Sequence, residues 1–183
     1  MRRYLLGLLL TVPILAASGC RRAQPPAYRP TATIRDIMLS IVDPQADVLW
    51  NAVATIIDAS GTEERQPKTE EEWATVRRSA VQMVEVSNLL LVPGRQAARP
   101  GENSENPGIE LEPAAIEKLI GEDPATWGKL VGGLHDAAVP ALKAVEAKNV
   151  EALFEAGDKL EKACESCHHN YWYPPKNAPA WKK

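Results

Sequence analysis

The stretch from Val150 to Tyr171 constrains the fold of this chain more than any other. Val150, Leu153, Gly157, Leu160, Cys164, Cys167, His168 and Tyr171 recur every three or four residues. That spacing returns to one side of an α-helix, whereas in a strand it would scatter over both faces. Three further segments keep the same period. From about Thr33 to Ala59, Ile34, Met38, Ile41, Val48, Ala52 and Ile56 fall on one stripe. Trp73 to Leu91 follows Thr69-Glu70-Glu71-Glu72, a capping box, and stops at Pro93-Gly94. Trp127 to Val145 follows Asp123-Pro124 and contains Pro140, which predicts a bent axis. Val, Ile, Thr and aromatic residues nowhere alternate as strands require. The expected fold class is all-α, a four-helix bundle without strands.

Proline and glycine mark the joints. Asp43-Pro44 predicts a kink or restart inside the first helix. Lys148-Asn149 leaves room only for a short turn, so the third and fourth helices are expected to lie antiparallel. Residues 93–122, rich in Pro, Gly and Asn, form one long connection with a short helix expected from Pro113 to Ile120. The bundle domain should span 33–173, followed by a tail at 174–183.

Ahead of the domain, MRRYLLGLLLTVPILAASGC has two arginines, a short apolar run and small residues, the anatomy of an export leader over 1–19. LAASGC is similar to a bacterial lipobox, although Ala17 stands where leucine is more usual. That resemblance implies lipidation of Cys20, with a soluble exported form as the alternative. Residues 20–32, with Pro25, Pro26 and Pro30, then read as a stiff tether. The formal charge of −3 becomes −5 once Arg2 and Arg3 leave with the leader, and nothing in the balance suggests nucleic-acid binding.

Cys164-Glu165-Ser166-Cys167-His168 carries the chemistry. In C-x-x-C-H two thiols add to the vinyl groups of a haem and the histidine coordinates its iron. On a helix the three residues share one face. One covalently attached haem c is therefore expected on the C-terminal helix, with thioethers at Cys164 and Cys167 and His168 as proximal ligand. A structural zinc needs about four ligands, and outside the motif only His135, His169 and Cys20 are on offer. A thioredoxin-like pair needs a βαβ setting that is missing. A bundle in which CESCHH holds no haem is the remaining alternative.

A helical bundle whose C-x-x-C-H lies near its C-terminus resembles the class II c-type cytochromes, cytochrome c′ and its low-spin relatives. Tyr171 matches the family's aromatic residue three after the histidine, while Trp172 stands where many members carry a basic residue. The resemblance implies that the sixth iron position is open beneath an apolar side chain or filled by a methionine of the first helix. Met38 lies on that helix's inward stripe. Thioether ligation favours electron transfer, although methionine also fills cores readily. Leu39, about 100° away, would leave an open site. Met83 reads as core, Trp50, Trp73 and Trp127 as core or haem packing, and His169 as solvated. His135 is a weak candidate for a second axial imidazole.

The expected function is one-electron transfer at the bacterial cell envelope by a periplasmic lipoprotein in the inner or outer membrane. The alternative is a five-coordinate haem protein that binds NO or CO. No nucleophile triad, phosphate loop or acid–base carboxylate pair suggests an enzyme. The partners implied are redox proteins of the envelope and the membrane itself, through the lipid on Cys20, with a homodimer left open.

Overall fold

The structure is a computed structural model that describes residues 28–59 and 61–173. The expected leader 1–19, Cys20 with residues 21–27 of the tether, and the tail 174–183 lie outside the described residues. The chain is mostly helical, with α1 (Ile34–Ile37), a π-helical turn (Met38–Val42), α2 (Asp43–Ala52), α3 (Glu70–Leu90), α4 (Pro113–Glu122), α5 (Pro124–Glu146) and α6 (Val150–Tyr171). One small antiparallel sheet pairs β1 (Ala54–Asp58) with β2 (Gly61–Arg65), Ala54 opposite Arg65. Among the described residues no helix is long and apolar enough to cross a membrane.

Local chemistry explains where the helices begin. The Thr33 hydroxyl accepts from the Asp36 amide and the Asp36 carboxylate accepts from the Thr33 amide, each at 3.0 Å. Thr69 and Glu72 repeat that reciprocal cap at α3, while Asp123 caps α5 and Asn149 caps α6. Helix α5 runs through Pro140 without interruption. The short turn before α6 places Lys148 at a φ of 50°, and its ammonium pairs with Glu70 at the start of α3.

The first segment departs from expectation twice. Of the kink or restart expected at Asp43-Pro44, the restart is absent: Ile37, Val42 and Asp43 all keep right-handed helical backbone angles. Proline lacks the N–H for an ordinary i−4 bond and its ring crowds that carbonyl. The helix widens just before it, and the Asp43 amide donates to the Met38 carbonyl five residues back. Second, the helix ends at Ala52 rather than near Ala59, because Val53 turns extended and a hairpin follows. Thr55, Ile56 and Ile57 favour that extended backbone. Ile56 thus leaves the inward helical stripe, and Ile57 is exposed. β1 alternates half-buried and exposed residues, but apolar Ile57 falls on the exposed side and β2 is exposed along its length, so no apolar–polar alternation marks the pair.

One core joins the helices. Helix α5 packs between α3 and α6, and α2 contacts α3 and α6, which closes the ring of neighbours. Ala80, Met83, Ala138 and Leu160 are fully buried within it. Trp127 stacks edge-on against Tyr171 at 5.2 Å and donates its indole N–H to the Leu90 carbonyl at the end of α3.

The connection 93–122 is stitched to the ends of two helices. The first-turn amides of Ile34 and Arg35 donate to the Gln96 and Ala97 carbonyls at 2.8 and 2.9 Å. These are donors that a helix start leaves without intrahelical partners. Arg99 pairs with Asp36, and the Arg35 guanidinium donates to the Asn103 carbonyl. At its far end the Leu111 amide donates to the Trp172 carbonyl beyond α6. The connection therefore ties the beginning of α1 to the end of α6.

Replacing Leu160 by Ala should destabilise the fold by about 2–5 kcal/mol, since the site is fully enclosed. Thr69→Ala should cost about 1 kcal/mol through loss of the α3 cap. Urea unfolding checks both, and equal small losses would contradict the packing and cap described.

Candidate functional site

Helix α6 delivers Cys164, Cys167 and His168 half-buried, at the edge of the stripe whose centre is Leu153, Leu160 and Tyr171. Both cysteines carry free thiols. They open into a cavity of about 190 Å³ between α6, the π turn with α2, the end of α3 and the middle of α5. Val42, Ala46, Leu90, Leu130, Val131 and Leu134 give it apolar walls, and Asp43, Glu161 and Glu165 stand among its lining. A second chamber of about 170 Å³ lies toward the connection, bounded by Arg35, Leu39, Glu105, Glu110, Trp172 and Tyr173. Met38, Asp43 and His168 line both chambers.

The π turn makes this arrangement. Residues five apart diverge on an α-helix, but the i→i+5 bond from Asp43 to Met38 brings them together. The thioether and the carboxylate consequently share a wall with the imidazole of His168. That ring rests near two aromatics, 6.4 Å from Trp172 and 6.2 Å from Tyr173 between centroids. The connection supplies Glu105 and Glu110 to the same chamber and, through Leu111, holds the end of α6.

Electrostatics sets the resting state of the thiols. Burial pushes Cys164 up to about 11, helped by the Asp43 and Glu165 carboxylates. Burial pushes Cys167 up to about 12, with Cys164 adding to it. Thiolates are the nucleophilic form, so neither sulfur is an activated nucleophile at neutral pH. The same effect lifts the Asp43 carboxyl, where burial outweighs the pull of His168. Two thiols, an imidazole and a thioether around an apolar slot could hold a planar apolar cofactor with a metal at its centre. Among the described residues no three His, Cys, Asp or Glu side chains gather as an ion site of their own.

Placement of the other candidates is uneven. Met83 is fully buried away from the cavity, and Trp73 and Trp127 lie in the core. His169 points outward to pair with Glu165 at 3.1 Å, and His135 sits on α5 beside Asp136 without lining the cavity. Tyr171 packs edge-on against Trp127, with Cys167 close enough to add to the burial that raises its hydroxyl pKa. Trp50 is 37% exposed, yet it lines the cavity and donates to the Gly157 carbonyl at 3.2 Å. Asp43 is the site residue that sequence reasoning missed; it figured there only as part of the Asp43-Pro44 joint. Only a π turn puts it beside Met38, and the proline after it was the available signal.

In protein without an attached cofactor, carboxamidomethylation of Cys164 and Cys167 by iodoacetamide should be slow at pH 8. Its rate should climb about tenfold per pH unit toward pH 11, because the raised pKa values leave only about 0.1% thiolate at Cys164 and about 0.01% at Cys167 at pH 8. Denaturant should abolish the lag. Rapid reaction of the folded protein at pH 7, followed by mass spectrometry, would contradict the burial described.

Comparison of the chain with protein-family models, with curated proteins and with solved structures found no match in any of the three.

Proposed function

We propose that the chain is a monohaem c-type cytochrome, a four-helix bundle that carries single electrons at the bacterial cell envelope. One observation carries this reading: Met38 and His168 line the same two chambers, and both thiols of the C-x-x-C-H pair open into one of them. The chemistry of the donor set matches a covalently held haem. Cys164 and Cys167 would supply thioether links, and His168 and Met38 would offer the iron an imidazole and a thioether. The haem supplies an iron that cycles between ferric and ferrous states.

The chain's own residues then define the setting. Leu130, Val131 and Leu134 give the slot apolar walls, which limit the solvent rearrangement that accompanies a change of charge. The connection is hydrogen-bonded to the start of α1, which leads into the turn carrying Met38, and to Trp172 just past α6, which carries His168. On this reading the molecule belongs with the low-spin relatives of cytochrome c′. Lipidation at Cys20 and a periplasmic, membrane-held location are part of the same proposal. The tether would keep the carrier near membrane redox partners and raise their effective concentration.

The gas-binding alternative requires an apolar residue over the iron. Leu39 borders only the outer chamber and is 57% exposed, whereas Met38 borders both, which favours the carrier.

Protein matured in a host competent for cytochrome biogenesis should stain for covalent haem after denaturation, and Cys164→Ala/Cys167→Ala should not. Wild type should give a low-spin spectrum. Met38→Ala should turn high-spin, bind CO and show a lower reduction potential, whereas Leu39→Ala should remain low-spin. A high-spin wild type that binds CO at once would replace the carrier with the gas binder. Colourless protein would end both.

A further inference from the structure

We infer that the α2–α6 face, centred on Trp50 and Phe154, is the docking surface for a redox protein with a basic surface; this rests on the electron-carrier reading. A groove runs along this face, with Leu49, Val53 and Leu153 as an apolar floor. Phe154 stands 61% exposed on its rim. Trp50 is the wall between outside and inside, because it lines both the groove and the cavity that holds the two thiols. Its position is fixed. The indole N–H donates to the Gly157 carbonyl, and a methyl group at 157 would meet the ring at 3.2 Å.

The charge of this face selects the partner. Asp43, Glu155, Asp158, Glu161 and Glu165 line the groove and the adjoining cavity, against a single lysine, Lys159. Lys162, nearby on α6, pairs with Asp158, and His169 pairs with Glu165. A second copy of the chain would bring carboxylates against carboxylates, so self-association here is disfavoured. A partner with lysines or arginines around an apolar centre is matched in both charge and character. Transient electron-transfer contacts are small, and complementary charge mainly speeds their encounter. Trp50 gives such a partner a covered path to the slot, since its ring lines both the groove and the cavity.

The test uses the full mature protein, with covalent haem verified first by staining. Amide signals of the 15N-labelled protein are followed during titration with tris(ethylenediamine)chromium(III), a redox-inert paramagnetic trication. Broadening should concentrate on residues 43–53 and 153–165. Combined Glu155→Gln, Glu161→Gln and Glu165→Gln should weaken it about tenfold, whereas Glu64→Gln, Glu71→Gln and Glu85→Gln together should change it less than twofold. Reduced protein is then mixed with one-electron oxidants of opposite charge. The first triple variant should slow oxidation by tris(1,10-phenanthroline)cobalt(III) roughly tenfold and leave oxidation by hexacyanoferrate(III) equal or faster. Broadening centred on Glu70–Glu72 or residues 102–112, equal responses to both oxidants, or concentration-dependent broadening of this face without any probe would each overturn the inference. A negative haem stain would remove the electron-carrier reading and the redox partner with it, and the chromium map would still report whether this face collects cations.

Discussion

A single stripe on α6 does two things. Its centre, Leu153, Leu160 and Tyr171, fastens the helix to α5 and the core. Its edge, Cys164, Cys167 and His168, opens the slot against α2. The three-and-four spacing that buries the first set cannot be altered without turning the second. Packing of one helix therefore decides where two thiols and an imidazole sit, and the elements opposite have to meet them there.

They meet them through backbone groups as much as side chains. The amides that a helix start leaves over, at Ile34 and Arg35, find carbonyls in the connection, and the carbonyl of Trp172 finds the Leu111 amide. Buried or half-buried backbone groups are costly to leave unpaired. A connection of some thirty residues thus becomes part of the scaffold and closes the outer chamber with Glu105, Glu110 and the adjoining ends of α1 and α6.

Much of this was legible in the residues. Thr69-Glu70-Glu71-Glu72, Asp123-Pro124 and Asn149 mark helix starts because their side chains bond to orphan amides, a local effect. The shared face of Cys164, Cys167 and His168 follows from helix geometry alone. The hairpin was hidden for a physical reason: neither β2 nor the outer side of β1 packs on the core, so no apolar rhythm marks them. Ile56 and Ile57 continued the helical stripe by coincidence of spacing. The partners of the connection were also unreadable, since backbone carbonyls at Gln96 and Ala97 have no sequence signature. Trp50 read as core or haem packing, and only the fold sets it half outside.

The widened turn ahead of Pro44 acts as an extra residue in the helix. Deleting one position between Met38 and Val42 would restore the ordinary pitch and rotate everything before it by about 100°. Met38 would swing off the wall it shares with His168 and a neighbouring side chain would take its place. The identity of the group facing the imidazole is thus encoded in helix register as well as in the choice of amino acid. One lost codon could exchange it while every other contact of α2 with α3 and α6 stayed put.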